Sequence, residues 1–229
     1  MDREISGVSK NNVLLVDEWV KGICGPEYGD HHGHDHAKTV SEIASQIYHD
    51  MVGRNKIGGG LDGIVRIIGL LHDVDDSKID TDMSKKALLN QFLQENFPDH
   101  NELIRNVIDR ISYSKEVKMR KEMGNGVDWM SVLGPTGTLI RNIVSDADKL
   151  ESLGVEGFNR SKEYNKGRLS LGDSKEDERK LYEAVNEIIE SKLMRLHEYL
   201  YTDLGKEMGR ERTAALLDAH RKWRAELLQ

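Results

Sequence analysis

The chain has 229 residues, 38% hydrophobic and 32% charged, with 40 acidic against 33 basic side chains and a formal net charge of −7. That length supplies a full hydrophobic core without help from metal or disulfides, and the single cysteine, Cys24, cannot form an internal disulfide and points to a reducing compartment. The acidic balance argues against a general nucleic-acid-binding surface. No apolar run nears the roughly 18 residues of a membrane span, and Met1-Asp2-Arg3-Glu4-Ile5 lacks a signal-peptide profile, so a cytoplasmic globular protein is expected.

Apolar residues recur at helical spacing, and no period-2 strand is visible. A first helix is predicted over 12–22, stopped by Gly22 and Gly25-Pro26. After a His- and Gly-rich loop, a second helix begins near Asp35 and carries Val40, Ile43, Ala44, Ile47 and Met51 on one face, ending in the linker 53–60. Leu61, Ile64, Val65, Ile68 and Leu71 form the stripe of a third. Shorter helices are expected over 84–96 and 100–111, with Pro98 as the break between them.

Residues 112–137 contain Gly124-Asn125-Gly126 and Gly134-Pro135 and read as a long irregular loop with room for one short helix. Regular helix resumes over 138–153, the polar and basic stretch 159–175 reads as mobile, and two long helices, 175–201 and 206–228, close the chain. The expectation is one all-α domain, a helical bundle with a core of about 30–160 and a C-terminal helical extension of about 175–229. The terminal helices either pack on that core or pair two copies, so monomer and homodimer both fit.

Three features carry chemistry. His36 lies on the Val40/Ile43 stripe of its helix, unlike its loop neighbours His31, His32 and His34, and an imidazole on an apolar face needs a hydrogen-bond partner or a metal. His72 continues the Leu61/Ile64/Ile68 stripe, and Asp73 follows at the negative end of the helix dipole, where an anion is stable only in water or beside a cation. Asp75 and Asp76 add acid to that rim. Asp146 and Asp148 flank the stripe centred near Ala147, and periodicity permits either as an inward ligand. Two histidines and two aspartates from three helices make a mixed nitrogen–oxygen set suited to a six-coordinate divalent ion with positions left for water or substrate. Structural zinc is disfavoured because there is no Cys cluster.

The order His36 … His72-Asp73 … Asp148 resembles the H…HD…D signature of the HD superfamily of metal-dependent phosphohydrolases, and more narrowly its small single-domain bacterial-type members. The stretch Leu71-His72-Asp73-Val74-Asp75-Asp76-Ser77-Lys78 and the element Asp146-Ala147-Asp148-Lys149-Leu150-Glu151-Ser152-Leu153-Gly154, with Gly157 and Arg160 beyond it, carry the likeness, which covers roughly 30–215. The resemblance implies that His36, His72, Asp73 and Asp148 are the metal ligands, with Asp146 the alternative for the last. Thr39 stands where relatives often carry Arg.

The expected activity is hydrolysis of a phosphate ester or anhydride at one divalent ion, manganese ahead of magnesium, iron, nickel or cobalt. The substrate is expected to be a phosphorylated small molecule, first of all a nucleotide. Asp76 or Asp75 is the candidate proton acceptor beside Asp73, and Lys78 the cation facing the leaving phosphate. Arg160, helped by Lys149, Lys166 or Arg168, is the candidate clamp for further phosphates. The alternatives are a metal- or nucleotide-binding module without turnover, and a di-iron oxygenase drawing extra ligands from His31, His32, His34 or His100. Gly134-Pro135-Thr136-Gly137-Thr138 lacks the Lys of a phosphate loop.

Overall fold

Ser9 and Asn12 open the first helix by a reciprocal cap: the Asn12 amide donates to the Ser9 hydroxyl, and the Ser9 amide donates to the Asn12 side chain at 2.9 Å. The structure, a computed structural model, describes residues 8–25, 33–76, 83–124 and 126–227. It is all-helical, with no strand among the described residues. The elements are α1 (Lys10–Ile23), α2 (His34–Gly53), α3 (Asp62–Leu71), α4 (Ser84–Asn96), α5 (Asn101–Ile108), α6 (Tyr113–Met123), α7 (Trp129–Glu151), α8 (Gly154–Arg168) and α9 (Lys175–Ser191). A 3₁₀ stretch (Leu193–Tyr199) and α10 (Asp203–Leu227) complete the chain. The packing divides into two compact units, one ending at Ala147 and the other beginning at Asp148, within α7.

In the first unit α2 and α3 run antiparallel. Asp62 accepts from Ser45 at 2.6 Å at one end of the pair, and His72 meets His36 at the other. Val40, Ala44 and Ile47 from α2 are fully buried with Val65, Ile68 and Leu71 from α3. Each such aliphatic side chain contributes about 1.5–3 kcal/mol by leaving water. The Tyr48 hydroxyl ties the linker, donating to the Gly58 carbonyl at 3.2 Å and accepting from the Leu61 amide at 2.9 Å. α1 packs Val13, Val16 and Val20 inward, and Trp19 stacks on Phe92 of α4 with centroids 4.2 Å apart.

The predicted loop 112–137 is largely helical. α6 occupies Tyr113–Met123 and ends on Gly124, whose φ of 73° is the left-handed cap that glycine adopts without strain. α7 begins at Trp129 and is interrupted at Gly134 (φ 67°, ψ 178°), so Gly134-Pro135 is a kink between two helical segments. Proline there opens the second segment, where its missing N–H is no loss. What organises the region is a buried ion pair that leaves no apolar period. Arg141 and Glu116, both with fully buried side chains, meet at 2.5 Å. Arg120 also donates to Glu116 at 2.7 Å, Arg141 donates to the Arg110 carbonyl at 3.0 Å, and its guanidinium lies 4.1 Å from the Trp129 ring centroid.

In the second unit α8, α9, the 3₁₀ stretch and α10 enclose Leu153, Phe158, Leu181, Val185, Ile189, Leu196, Leu216 and Trp223. The segment expected to be mobile over 159–175 is in large part α8, and the single helix expected over 175–201 is α9 followed by the 3₁₀ stretch. Tyr182 stacks on His220 with centroids 5.1 Å apart, and Lys162 sits 4.2 Å from the Trp223 centroid. Burial, and then the charge of Arg224, push the His220 imidazole below its ordinary value. No helix among the described residues is long and apolar enough to cross a membrane.

Candidate metal centre

Helix α3 is apolar almost throughout, and its burial forces the residues at its C-terminal end into the core. His72 is the C-cap, with a side chain 1% exposed. Its Nδ1 donates to the Gly69 carbonyl at 2.8 Å, a bond that fixes the tautomer and turns the Nε2 lone pair outward from the helix. His36, near the start of α2 and 4% exposed, brings its own Nε2 to 3.2 Å from that of His72. Asp73 places one carboxylate oxygen 3.5 Å from each of the two nitrogens. Among the described residues these three form the one group of metal-ligating side chains that converges.

The size of this triangle matches a divalent ion. Two donors about 2.1 Å from one ion, at angles between octahedral and tetrahedral, lie roughly 3.0–3.4 Å apart. The 3.2 Å edge falls within that range and the two 3.5 Å edges lie just above it, so the three atoms could close on one such ion with a small adjustment. The donor chemistry agrees, since two imidazoles and a carboxylate suit manganese, iron or zinc better than calcium. Asp73 stands just past the last carbonyls of α3, where the helix dipole disfavours an anion and favours a cation beside it.

Gly69 sets the spacing. A Cβ on it would lie 2.8 Å from the Ser41 Cα, backbone that cannot swing aside. Gly69→Ala is expected to push α3 off α2, lowering stability by about 1–3 kcal/mol as overpacked cores do and widening the His36–His72 gap. Denaturant unfolding with a parallel Mn²⁺ titration checks both effects; unchanged Mn²⁺ affinity would mean that the helix spacing does not set the triangle.

The remaining sequence candidates are distributed as follows. Asp75 is bound by Arg105 at 2.8 Å, and the Asp76 amide donates to the Asp73 carbonyl at 3.2 Å. Lys78, His31 and His32 lie outside the described residues. His34 pairs with Asp17 at 2.9 Å, and His100 is the residue before α5. The Thr39 hydroxyl donates back to the Asp35 carbonyl at 2.9 Å. Asp146 is fully buried in the first unit, whereas Asp148 is half-buried and opens the second.

Of the expected phosphate-binding cations, Lys149 is 2% exposed, and Arg160 is paired with the Glu151 carboxylate and backbone carbonyl. Lys166 is bonded to Asp173 at 2.6 Å, which holds the lysine above and the aspartate below their ordinary values. Arg168 donates to the Asn165 side chain at 3.0 Å. Sequence reasoning missed Arg105, because an arginine on an amphipathic helix carries no mark of its distant partner.

No protein-family model matches the chain, and no curated protein does. Solved structures do. A structural-genomics protein from Lactobacillus plantarum matches with a TM-score of 0.66 and 20% identity over 96% of this chain and 98% of that one. Bacillus subtilis YpgQ matches with a TM-score of 0.64 and 19% identity over 93% and 94%, and has also been solved in complex with ADP. The Lin1889 protein of Listeria innocua matches with a TM-score of 0.58 and 19% identity over 94% of each chain. At these identities the likeness establishes one thing: the chain has the all-helical fold of these bacterial proteins over nearly its whole length.

Proposed function

We propose that the chain is a divalent-metal-dependent phosphohydrolase of the HD superfamily, acting on a nucleotide or related phosphorylated small molecule. The observation that carries this reading is the triangle of the buried His36 and His72 with the half-buried Asp73, whose edges are close to those of three donors on a single ion. The ADP complex of YpgQ, a protein of the same fold, supports the nucleotide part. Asp148 is the fourth ligand in this reading, and that assignment rests on the sequence element 146–154 alone.

His36, His72 and Asp73 would hold a divalent ion, which when bound would supply Lewis acidity toward a phosphoryl oxygen and a water nucleophile. The protein's own groups do the rest. His36 and His72 contribute neutral nitrogens, the latter held in its tautomer by Gly69. Asp76 or Asp75 is the proton acceptor of this scheme, and Asp75 would have to serve while bonded to Arg105. Lys78, which lies outside the described residues, is the cation this scheme assigns to the leaving phosphate on the sequence alone. Arg160, Lys149, Lys166 and Arg168 remain the candidates for further phosphates, and those paired with Glu151 or Asp173 would have to exchange that partner for the substrate.

The test is phosphate release from a panel of nucleoside mono-, di- and triphosphates by protein stripped of metal and then reloaded with Mn²⁺. Release that requires the added ion supports the proposal. Tight Mn²⁺ binding with no release from any substrate would point to a binding module without turnover. Two irons per chain on anaerobic purification would point to the oxygenase.

A further inference from the structure

Deepening the metal-centre reading and resting on it, we propose that Arg105 is a positioning residue: through Asp75 it fixes the turn that presents His72 and Asp73. Arg105 reaches out of α5, a short helix anchored by Ile104, Val107 and Ile108, all of them buried. One arm of its guanidinium donates to Asp75 at 2.8 Å, and the other donates to Asp109 at 3.0 Å, one turn along the same helix. The Arg105 side chain is 14% exposed and that of Asp75 8%, so the pair is largely withdrawn from water, whereas Asp109 is 47% exposed.

Asp75 belongs to the turn that follows α3. That turn is closed by bonds from the Val74 amide to the Leu71 carbonyl and from the Asp76 amide to the Asp73 carbonyl, each 3.2 Å. Both bonds are local to the turn, and neither ties it to another helix. The Arg105–Asp75 bond adds a cross-link from that turn to a second helix. It also gives the Asp75 charge a partner, so that this carboxylate does not compete with Asp73 for the ion or repel it. Asp109, exposed and on α5's own C-terminal end, meets the other arm of the guanidinium and is not part of the turn.

The experiment is Mn²⁺ titration of the full-length protein, read from the EPR signal of the free ion, for wild type, Arg105→Ala, Arg105→Lys, Asp75→Asn, the Arg105→Ala/Asp75→Asn double variant and Asp109→Asn. Amide exchange over residues 70–76 is followed in parallel without metal. Arg105→Ala and Asp75→Asn are each expected to weaken Mn²⁺ binding about tenfold, the lower end of what outer-sphere partners of a metal site contribute. The double variant is expected to be no weaker than the worse single, the mark of two residues acting through one bond. Arg105→Lys should recover part of the loss, Asp109→Asn should stay within about twofold of wild type, and exchange over 70–76 should quicken in Arg105→Ala.

A purely structural role would lower thermal stability and leave the ion's affinity alone. Arg105→Ala or Asp75→Asn within twofold of wild type, or losses that simply add, would overturn the proposal. Should Arg105→Ala fail to fold, the near-isosteric Asp75→Asn decides. A wild type that takes up no Mn²⁺ would instead sink the metal reading, and this proposal with it.

Discussion

Asp73→Ala is expected to lose Mn²⁺ binding by at least about 100-fold, more than removal of an outer partner costs, because the substitution takes away a donor atom itself. The same variant should release no phosphate above background from any substrate the wild type hydrolyses. His72→Ala should behave alike, with an added loss of stability, since it also empties a 1%-exposed position packed beneath α3. Titrating Mn²⁺ into each variant after chelator treatment reads the first effect, and thermal unfolding of the metal-free proteins separates the second. An Asp73→Ala protein that binds Mn²⁺ as the wild type does would show that the three groups meet for another reason, such as a hydrogen bond between the two imidazoles.

Glu116→Gln is the substitution expected to harm folding most without touching the metal centre. It leaves the Arg141 guanidinium, 0% exposed, facing a neutral amide at 2.5 Å in place of a carboxylate. Breaking a buried pair from one side costs about 3–5 kcal/mol, because a charge is left in low dielectric. Arg141→Met should cost a similar amount by stranding the buried Glu116, which Arg120, 29% exposed, offsets only in part. The double variant Glu116→Leu/Arg141→Met should regain most of the loss, since removing both charges also removes the desolvation penalty. Urea unfolding of the set gives the values; single variants within about 0.5 kcal/mol of wild type would mean that the pair is hydrated in solution.

The contrast between these two sites explains what the amino-acid order could disclose. Val40, Ala44 and Ile47 against Ile64, Ile68 and Leu71 are apolar at helical spacing, so α2 and α3 were legible, as were the places of His36 and His72 on their stripes. The structure brings those two histidines to 3.2 Å. α6 was not legible. Its buried residue is Glu116, satisfied by Arg141 on α7, and an ion pair between distant residues leaves no period. Gly124 and Gly134-Pro135 were rightly seen as punctuation, but one is the cap of a helix and the other a kink, distinctions that depend on what packs on either side. Residues 159–175 are polar and basic and so read as mobile; the helix that covers 159–168 buries only Gly154, Gly157, Phe158 and Asn165, too few to leave an apolar stripe. The role of Asp75 was equally hidden: as one acid among several near Asp73 it suggested chemistry, and only its bond to Arg105 marks it as an anchor.

The crossing at Gly69 also bears on how this sequence can diverge. Where α3 passes α2, a hydrogen atom occupies the space that any side chain would need, and the surface it meets is the main chain at Ser41. Neighbouring core positions can trade one aliphatic group for another with modest repacking, but here an exchange would have to be preceded by a change in the angle between the helices. Substitutions can therefore accumulate over most of this unit while Gly69 stays glycine, since a side chain there is expected to move α3 off α2 and with it the spacing of the histidines.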